Sequence, residues 1–234
     1  MNNGNDNRGG QRVAPISSVM LKNVNATRIV NMDRKTLGVG IGIFIVVGFA
    51  AVITFLFARN DTFVGTSYDE PYPVAPDFSL TRVNGEAFHL SDQRGKVVLL
   101  FFGYTACPDV CPTTMAEIKQ TLDRLSPDNL EHVQVVFVSV DPKRDTPERV
   151  QEYVDHFNTS FVGLSGSEDE LAKIWNAYGI YRLEVPGASA AGYTVDHTAR
   201  ITMIDRNGNM RVSFGFDTPV EDLVHDLQLL LKKD

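Results

Sequence analysis

Residues Leu37 to Phe57 read LGVGIGIFIVVGFAAVITFLF, 21 consecutive positions without a charge. At about 1.5 Å rise per residue such a run makes roughly 30 Å of helix, the thickness of a bilayer core. Buried helices of globular domains are seldom this long or this free of polar side chains, so the run is expected to be a single transmembrane helix. A cleaved signal peptide fits poorly: the preceding segment is too long for an n-region, the apolar stretch exceeds the usual ~7–15 residues, and no A-x-A site follows. The chain is therefore read as a tail (1–36), an anchor (37–57), a linker (58–75) and one exported domain (76–234).

Charge sets the orientation. Residues 1–36 carry six basic side chains (Arg8, Arg12, Lys22, Arg28, Arg34, Lys35) and two acidic ones (Asp6, Asp33), a net of +4. Residues 58–234 hold 16 basic and 27 acidic side chains, a net of −11. With Arg28, Arg34 and Lys35 before the apolar run and only Arg59 close behind it, the positive-inside rule keeps the N-terminus cytoplasmic and exports the rest. The Asn-rich, acid-bearing start does not resemble an Arg- and Ser-rich mitochondrial presequence. A bacterial inner membrane, with the domain in the periplasm, is therefore expected. A mitochondrial inner membrane, with the domain on the intermembrane-space side, has the same geometry. So acidic a domain is a poor nucleic-acid binder, because phosphate neutralisation needs Lys and Arg.

Within the exported part, Pro71, Pro73 and Pro76 with few aliphatics read as a stalk. Phe78–Leu80 and Phe88–Leu90 flank Asn84-Gly85, a hairpin signal. Lys96–Phe102 (KVVLLFF) and Val133–Val140 are short continuous apolar runs, as in strands buried on both faces. Between them Met115, Ile118, Leu122 and Leu125 recur at helical spacing, with Met115 read as core rather than as a thioether ligand. Thr146-Pro147 and Ser167-x-x-Glu170 are helix starts. Phe161–Leu164 is a short strand and Glu184–Tyr193 a loop. Thr198–Asp205 and Met210–Phe216 flank Asn207-Gly208, a second hairpin, and Thr218-Pro219 opens a last helix, Val220–Lys233. Alternating strands and helices closed by a hairpin predict an α/β domain with a central mixed sheet flanked by helices.

Cys107 and Cys111, the only cysteines, fall where the KVVLLFF strand gives way to a helix. A helix N-terminus stabilises thiolate, which makes sulfur a better nucleophile and metal ligand. Four residues apart on a helical turn, the two sulfurs point the same way. An oxidising compartment permits a structural disulfide. Closing so short a loop is worth only about 2 kcal/mol in the chain-entropy model, however, so redox or metal chemistry is the stronger reading.

FFGYTACPDVCPTTM, followed by VSVDPKRDTPERV and VDHTARITMID, resembles the Sco/SenC family of membrane-anchored copper chaperones. The resemblance spans about residues 72–234 and implies a thioredoxin-like fold after a single transmembrane helix. It implies copper, Cu(I) or Cu(II), held by Cys107, Cys111 and His197. It also implies a partner, subunit II of cytochrome c oxidase, whose dinuclear CuA site would receive the copper or have its cysteines reduced. A periplasmic copper donor and a thiol reductant are the further partners such a role asks for.

Donor chemistry is compatible with this but does not select copper alone. Two thiolates and an imidazole suit Cu(I) and Cu(II), and Zn(II) also accepts such a set. In thioredoxin-like folds a loop before a late strand approaches the cysteine motif, and ordinary thioredoxins carry a cis-proline there. Asp196-His197-Thr198 has none, which by analogy favours a metal site over general dithiol exchange. His89, His132, His156 and His225 are expected to be solvated. Asp141 and Asp145 stand at the sheet end that carries the cysteines and could orient the site, although a turn and a helix start explain them more simply. If Cys107 and Cys111 are instead catalytic, the activity is thiol–disulfide exchange, with Cys107 attacking. A peroxidase is disfavoured, since Thr105 and Phe101 do not reproduce the Pro-x-x-x-Thr-x-x-Cys pattern. A redox or metal sensor would use the same residues.

Overall fold

The computed structural model describes residues 45–50, 62–187 and 192–233. The chain divides into two units, residues 1–59 and 60–234. In the first, residues 45–50 are helical, with Ile45, Val46, Val47 and Phe49 exposed. The remainder of the expected 37–57 anchor and the 1–36 tail lie outside the described residues. Among the described residues no helix is long and apolar enough to cross a membrane.

The second unit is built on a six-stranded sheet. Its centre is β4 (Val97–Gly103), flanked by β5 (Val133–Ser139) on one side and β9 (Arg200–Ile204) on the other. All seven residues of β4 are buried, so both its faces are covered, as the uninterrupted VVLLFF run requires. β5 runs parallel to β4, with Phe101 opposite Phe137, and β6 (Val162–Leu164) runs parallel to β5. β9 is antiparallel to β4, and β10 (Met210–Gly215) is antiparallel to β9. β1 (Thr66–Ser67) closes the far edge against β10. β2 (Ser79–Thr81) and β3 (Ala87–His89) form a separate hairpin.

The helices follow their sequence signals. α1 (Val110–Asp123) buries Met115, Ile118 and Leu122. A single turn, α2 (Pro127–Leu130), leads into β5. α3 (Pro147–Asp155) starts at Thr146, whose side chain accepts from the Arg149 amide. α3 lies so close to β6 that a Cβ at Gly163 would sit 2.7 Å from the Val150 carbonyl oxygen. α4 (Glu168–Ala177) carries the Ser167/Glu170 capping box in full. α5 (Val220–Lys233) packs on α1 and β4 through Leu223, Leu227 and Leu230. The expected mixed sheet flanked by helices is the one found.

Two expectations change. Residues 62–75 are not a free stalk. Val64 and Gly65 donate their amides to the buried Asp226 carboxylate at 2.9–3.0 Å, Ala75 is buried, and Phe63 packs on the core. The prolines masked a segment held by its backbone, which composition alone does not reveal. The Glu184–Tyr193 loop is the distal part of a β-hairpin instead. β7 (Arg182–Pro186) pairs antiparallel with β8 (Tyr193–His197), with His197 opposite Arg182. Pro186 and Gly187 lie at its turn end, and the ladder runs outward from them.

Candidate metal centre

The parallel strands β4 and β5 end side by side at Gly103 and Ser139. Gly103 is required there: a Cβ would meet the Phe137 ring at 2.8 Å and Cys111 Sγ at 3.0 Å. Its absence lets the second cysteine sit against the strand end. Cys111, in the first turn of α1, is buried, whereas Cys107 in the preceding loop is partly exposed, and both are free thiols.

The helix start does what the sequence leads one to expect. The Cys111 amide donates to Cys107 Sγ at 3.4 Å. Hydrogen bonding from Cys111 outweighs partial burial and pushes the Cys107 thiol down to about 6, so it is a thiolate at neutral pH. Cys111 moves the other way. Its hydrogen bond to Cys107, its burial and the neighbouring negative sulfur hold it well above the ordinary thiol range.

His197 closes the site. At the end of β8, its Nε2 stands 3.7 Å from Cys111 Sγ, across 86 positions of sequence. The Tyr104 ring meets it edge-on with centroids 5.9 Å apart. Burial keeps the imidazole below its usual pKa, hence neutral and able to act as a ligand. Among the described residues no three His, Cys, Asp or Glu side chains already converge at metal-binding distance. Cys111 and His197 meet directly, and the third expected donor, the Cys107 sulfur, bonds to the Cys111 amide and thiol. A cleft of ≈ 310 Å³, lined by Tyr104, Cys107, Pro108, Thr194 and His197 among others, opens at Cys107 and His197, with Cys111 buried behind them. Two thiols and a neutral imidazole at the floor of such a cleft fit a soft, thiophilic cation that a second molecule could reach from the open side. His132, His156 and His225 are exposed and His89 is half-buried, away from the trio.

Both aspartates do more than close a turn. Asp145 is buried and accepts from the Thr105 amide at 3.1 Å, the Thr105 hydroxyl at 2.6 Å and the Ser139 hydroxyl at 2.7 Å. It thus fastens the cysteine loop to the end of β5. Burial pushes its carboxyl up, against the hydrogen bonds from Ser139 and Thr105. Asp141, also buried, pairs with Arg144 and accepts from the Tyr193 hydroxyl at 2.8 Å. Tyr104, Thr105, Ser139, Arg144 and Tyr193 were not singled out from the sequence as supports of the site. The usable signal was four charges within five residues, Asp141, Lys143, Arg144 and Asp145, placed directly after a largely apolar strand.

Comparison with known proteins points to one family. Residues 66–232 match the SCO1/SenC family model. The chain is 31% identical over 162 residues to an SCO2-like protein of Rickettsia felis, covering 69% of this chain and 78% of that one. Among solved structures it resembles apo Sco1 from Thermus thermophilus (40% identity, TM-score 0.66, 74% of this chain and 99% of that one). It also resembles Bradyrhizobium japonicum ScoI with copper bound (39% identity, TM-score 0.60, 67% and 99%). A family match over most of the chain, on a thioredoxin-like fold with its cysteines at the strand end, makes this protein a member of the SCO1/SenC family.

Proposed function

We propose that this protein is a membrane-anchored copper metallochaperone: Cys107, Cys111 and His197 hold one copper ion and pass it to the CuA site of cytochrome c oxidase subunit II. The observation that carries the reading is the meeting of Cys111 Sγ and His197 Nε2 at 3.7 Å beside Cys107. Thiol–disulfide exchange needs no imidazole there. Support comes also from the Bradyrhizobium relative, which is described with copper bound, and from the family's tie to cytochrome c oxidase assembly. The proposal includes the anchor at 37–57 and a periplasmic domain, resting on the apolar run and the charges around it.

In this reading copper is cargo. Cys107 supplies a thiolate, Cys111 gives up its proton as copper binds, and neutral His197 completes a three-coordinate site. Thiolates of the recipient enter through the open position and displace the three ligands in turn.

The asymmetry of the cysteines supports a second activity at the same site. The Cys107 thiolate attacks a recipient disulfide and one recipient sulfur leaves as thiolate. Cys111 then loses its proton and attacks the mixed disulfide. The recipient gains two electrons, and Cys107 and Cys111 end as a disulfide that a thiol reductant must restore.

The test is a copper titration of the detergent-solubilised full chain, reduced and anaerobic, against a competing chelator, for wild type and His197→Ala. One copper per chain is expected, held at least about tenfold more tightly by wild type (about 1.4 kcal/mol). Equal affinity removes His197 as a ligand. If neither protein holds copper, the exchange reading takes its place.

A further inference from the structure

The strand that carries His197 belongs to a two-stranded ribbon, β7–β8, that pairs with no strand of the six-stranded sheet. Side chains must therefore hold it over the cysteines. They converge on Arg144, in the loop between β5 and α3. Its Nε pairs with the wholly buried Asp141 carboxylate, and its Nη1 donates to the Tyr193 carbonyl at 2.9 Å. The guanidinium lies over the Tyr193 ring, 3.7 Å from its centroid, and 5.6 Å from that of Tyr104. The Tyr193 hydroxyl returns to Asp141 at 2.8 Å. Tyr104 in turn accepts from the Val195 amide at 3.3 Å and backs the His197 ring.

Residues 193, 195 and 197 alternate onto one face of β8, and this cluster touches the strand at all three. We propose that Arg144 is the positioning residue that sets His197 against the cysteines, by clasping β8 between Asp141 and Tyr104. The role asks for arginine specifically. A planar fork can bond a carboxylate and a carbonyl while its faces stack on two rings, and an ammonium cannot. The cation is largely enclosed, with 15% of its side chain exposed, so it is not a solvated surface charge. The inference rests on the copper reading of His197, yet the placement itself is measurable without copper.

The experiment compares Arg144→Met and Arg144→Lys with wild type, each alone and combined with His197→Ala, in the full chain. Amide hydrogen exchange is read first on copper-free protein. The Val195 amide, bonded to Tyr104, is expected to exchange at least about tenfold faster in Arg144→Met, while β4 and β5 amides keep their protection and report an intact core. Copper affinity is expected to fall about fivefold or more in Arg144→Met, and by less than about twofold when His197 is already alanine, because the two changes remove the same contact. Arg144→Lys should resemble Arg144→Met. Unchanged exchange at Val195 overturns the inference whatever copper does. An equal copper loss in both backgrounds also overturns it, since Arg144 would then act elsewhere. Faster exchange with copper affinity indifferent to His197→Ala keeps the clasp and removes the copper ligand, so the two readings fail separately.

Discussion

The two cysteines and the histidine reach the same place by opposite constructions. The cysteine loop grows out of the centre of the sheet. It follows β4, is tied to the end of β5 through Asp145 and continues into the first turn of α1. His197 arrives on a two-stranded ribbon without backbone pairing to that sheet, held by Arg144, Tyr104 and Arg182, whose Nε donates to the Val140 carbonyl at 2.7 Å. Elements with few core hydrogen bonds sit at the low end of local stability. The thiols are thus preorganised by the fold, while the imidazole is presented by a part that can let go. Under the proposed hand-off of copper, a removable third ligand beside a fixed thiol pair is the useful division.

The comparison is broken most severely at Asp145. Asp145→Ala leaves the Ser139 hydroxyl and the Thr105 amide without their buried acceptor. Each orphaned group costs about 1–3 kcal/mol, and a total near 3 kcal/mol is expected. For a domain of this size that lowers the melting temperature by about 6–12 °C. Calorimetry or a denaturant titration measures it. A loss under about 1 kcal/mol would mean that the cysteine loop is not fixed through this carboxylate.

The inequality of the thiols gives the next largest effect. With Cys107 pushed down to about 6, its thiolate is lost only as pH falls through that value. Alkylation at Cys107 should therefore rise through pH 6 and level off by about pH 7, where a thiol at the ordinary value of 9.0 would be only about 1% ionised. Cys111, buried and raised, should stay unmodified in the native protein. Mass spectrometry after iodoacetamide pulses across pH 4–9 reads both sites. A Cys107 midpoint above pH 8 would show that the helix start does not carry the charge.

The ribbon is loosened more gently by Tyr104→Phe. The ring and its contact with His197 remain, but the Val195 amide loses its acceptor. About 1 kcal/mol, or roughly fivefold faster exchange at Val195, is expected. Exchange in β4 should not change. If β4 loosened equally, the ribbon and the sheet would be one cooperative unit and the contrast between them would disappear.

The cysteine side of the site was legible because local signals determine it: a continuous apolar strand, then CPDVCP at a helix start. Thr146 and the Ser167/Glu170 box were legible for the same reason, since a cap needs only its own next turn. The histidine side was legible only in part. His197 came from the family motif, but Glu184–Tyr193 looked like a loop because Pro186, Gly187 and Gly192 dominate its composition. Its pairing depends on which strand lies opposite, information that a ribbon outside the core pattern does not write into its own sequence. Asp141 and Asp145 were placed correctly at the functional end of the sheet, yet the turn reading was favoured. A carboxylate's partners at positions 105 and 193 are tertiary facts. The segment 62–75 was missed for a similar reason, since its anchor, Asp226, lies more than 160 residues away.

The smallest effect separates enclosed from exposed contacts on the same ribbon. Lys143 neighbours Arg144 in sequence and also reaches β7, its Nζ 2.8 Å from Glu184 Oε1. Drawn as contacts, the two cations look equivalent. Physically they are not, because Lys143 leaves 55% of its side chain in water against 15% for Arg144. An exposed ion pair is screened by salt and must immobilise a long side chain to form. Lys143→Ala should therefore leave both the melting temperature and the exchange of Val195 at wild-type values, with any residual difference vanishing in high salt. Exchange as fast as in Arg144→Met would show that net positive charge near Glu184, rather than the enclosed fork on Asp141 and Tyr193, holds the ribbon. The division between the fixed thiols and the clasped imidazole would then have to be redrawn as a matter of surface electrostatics.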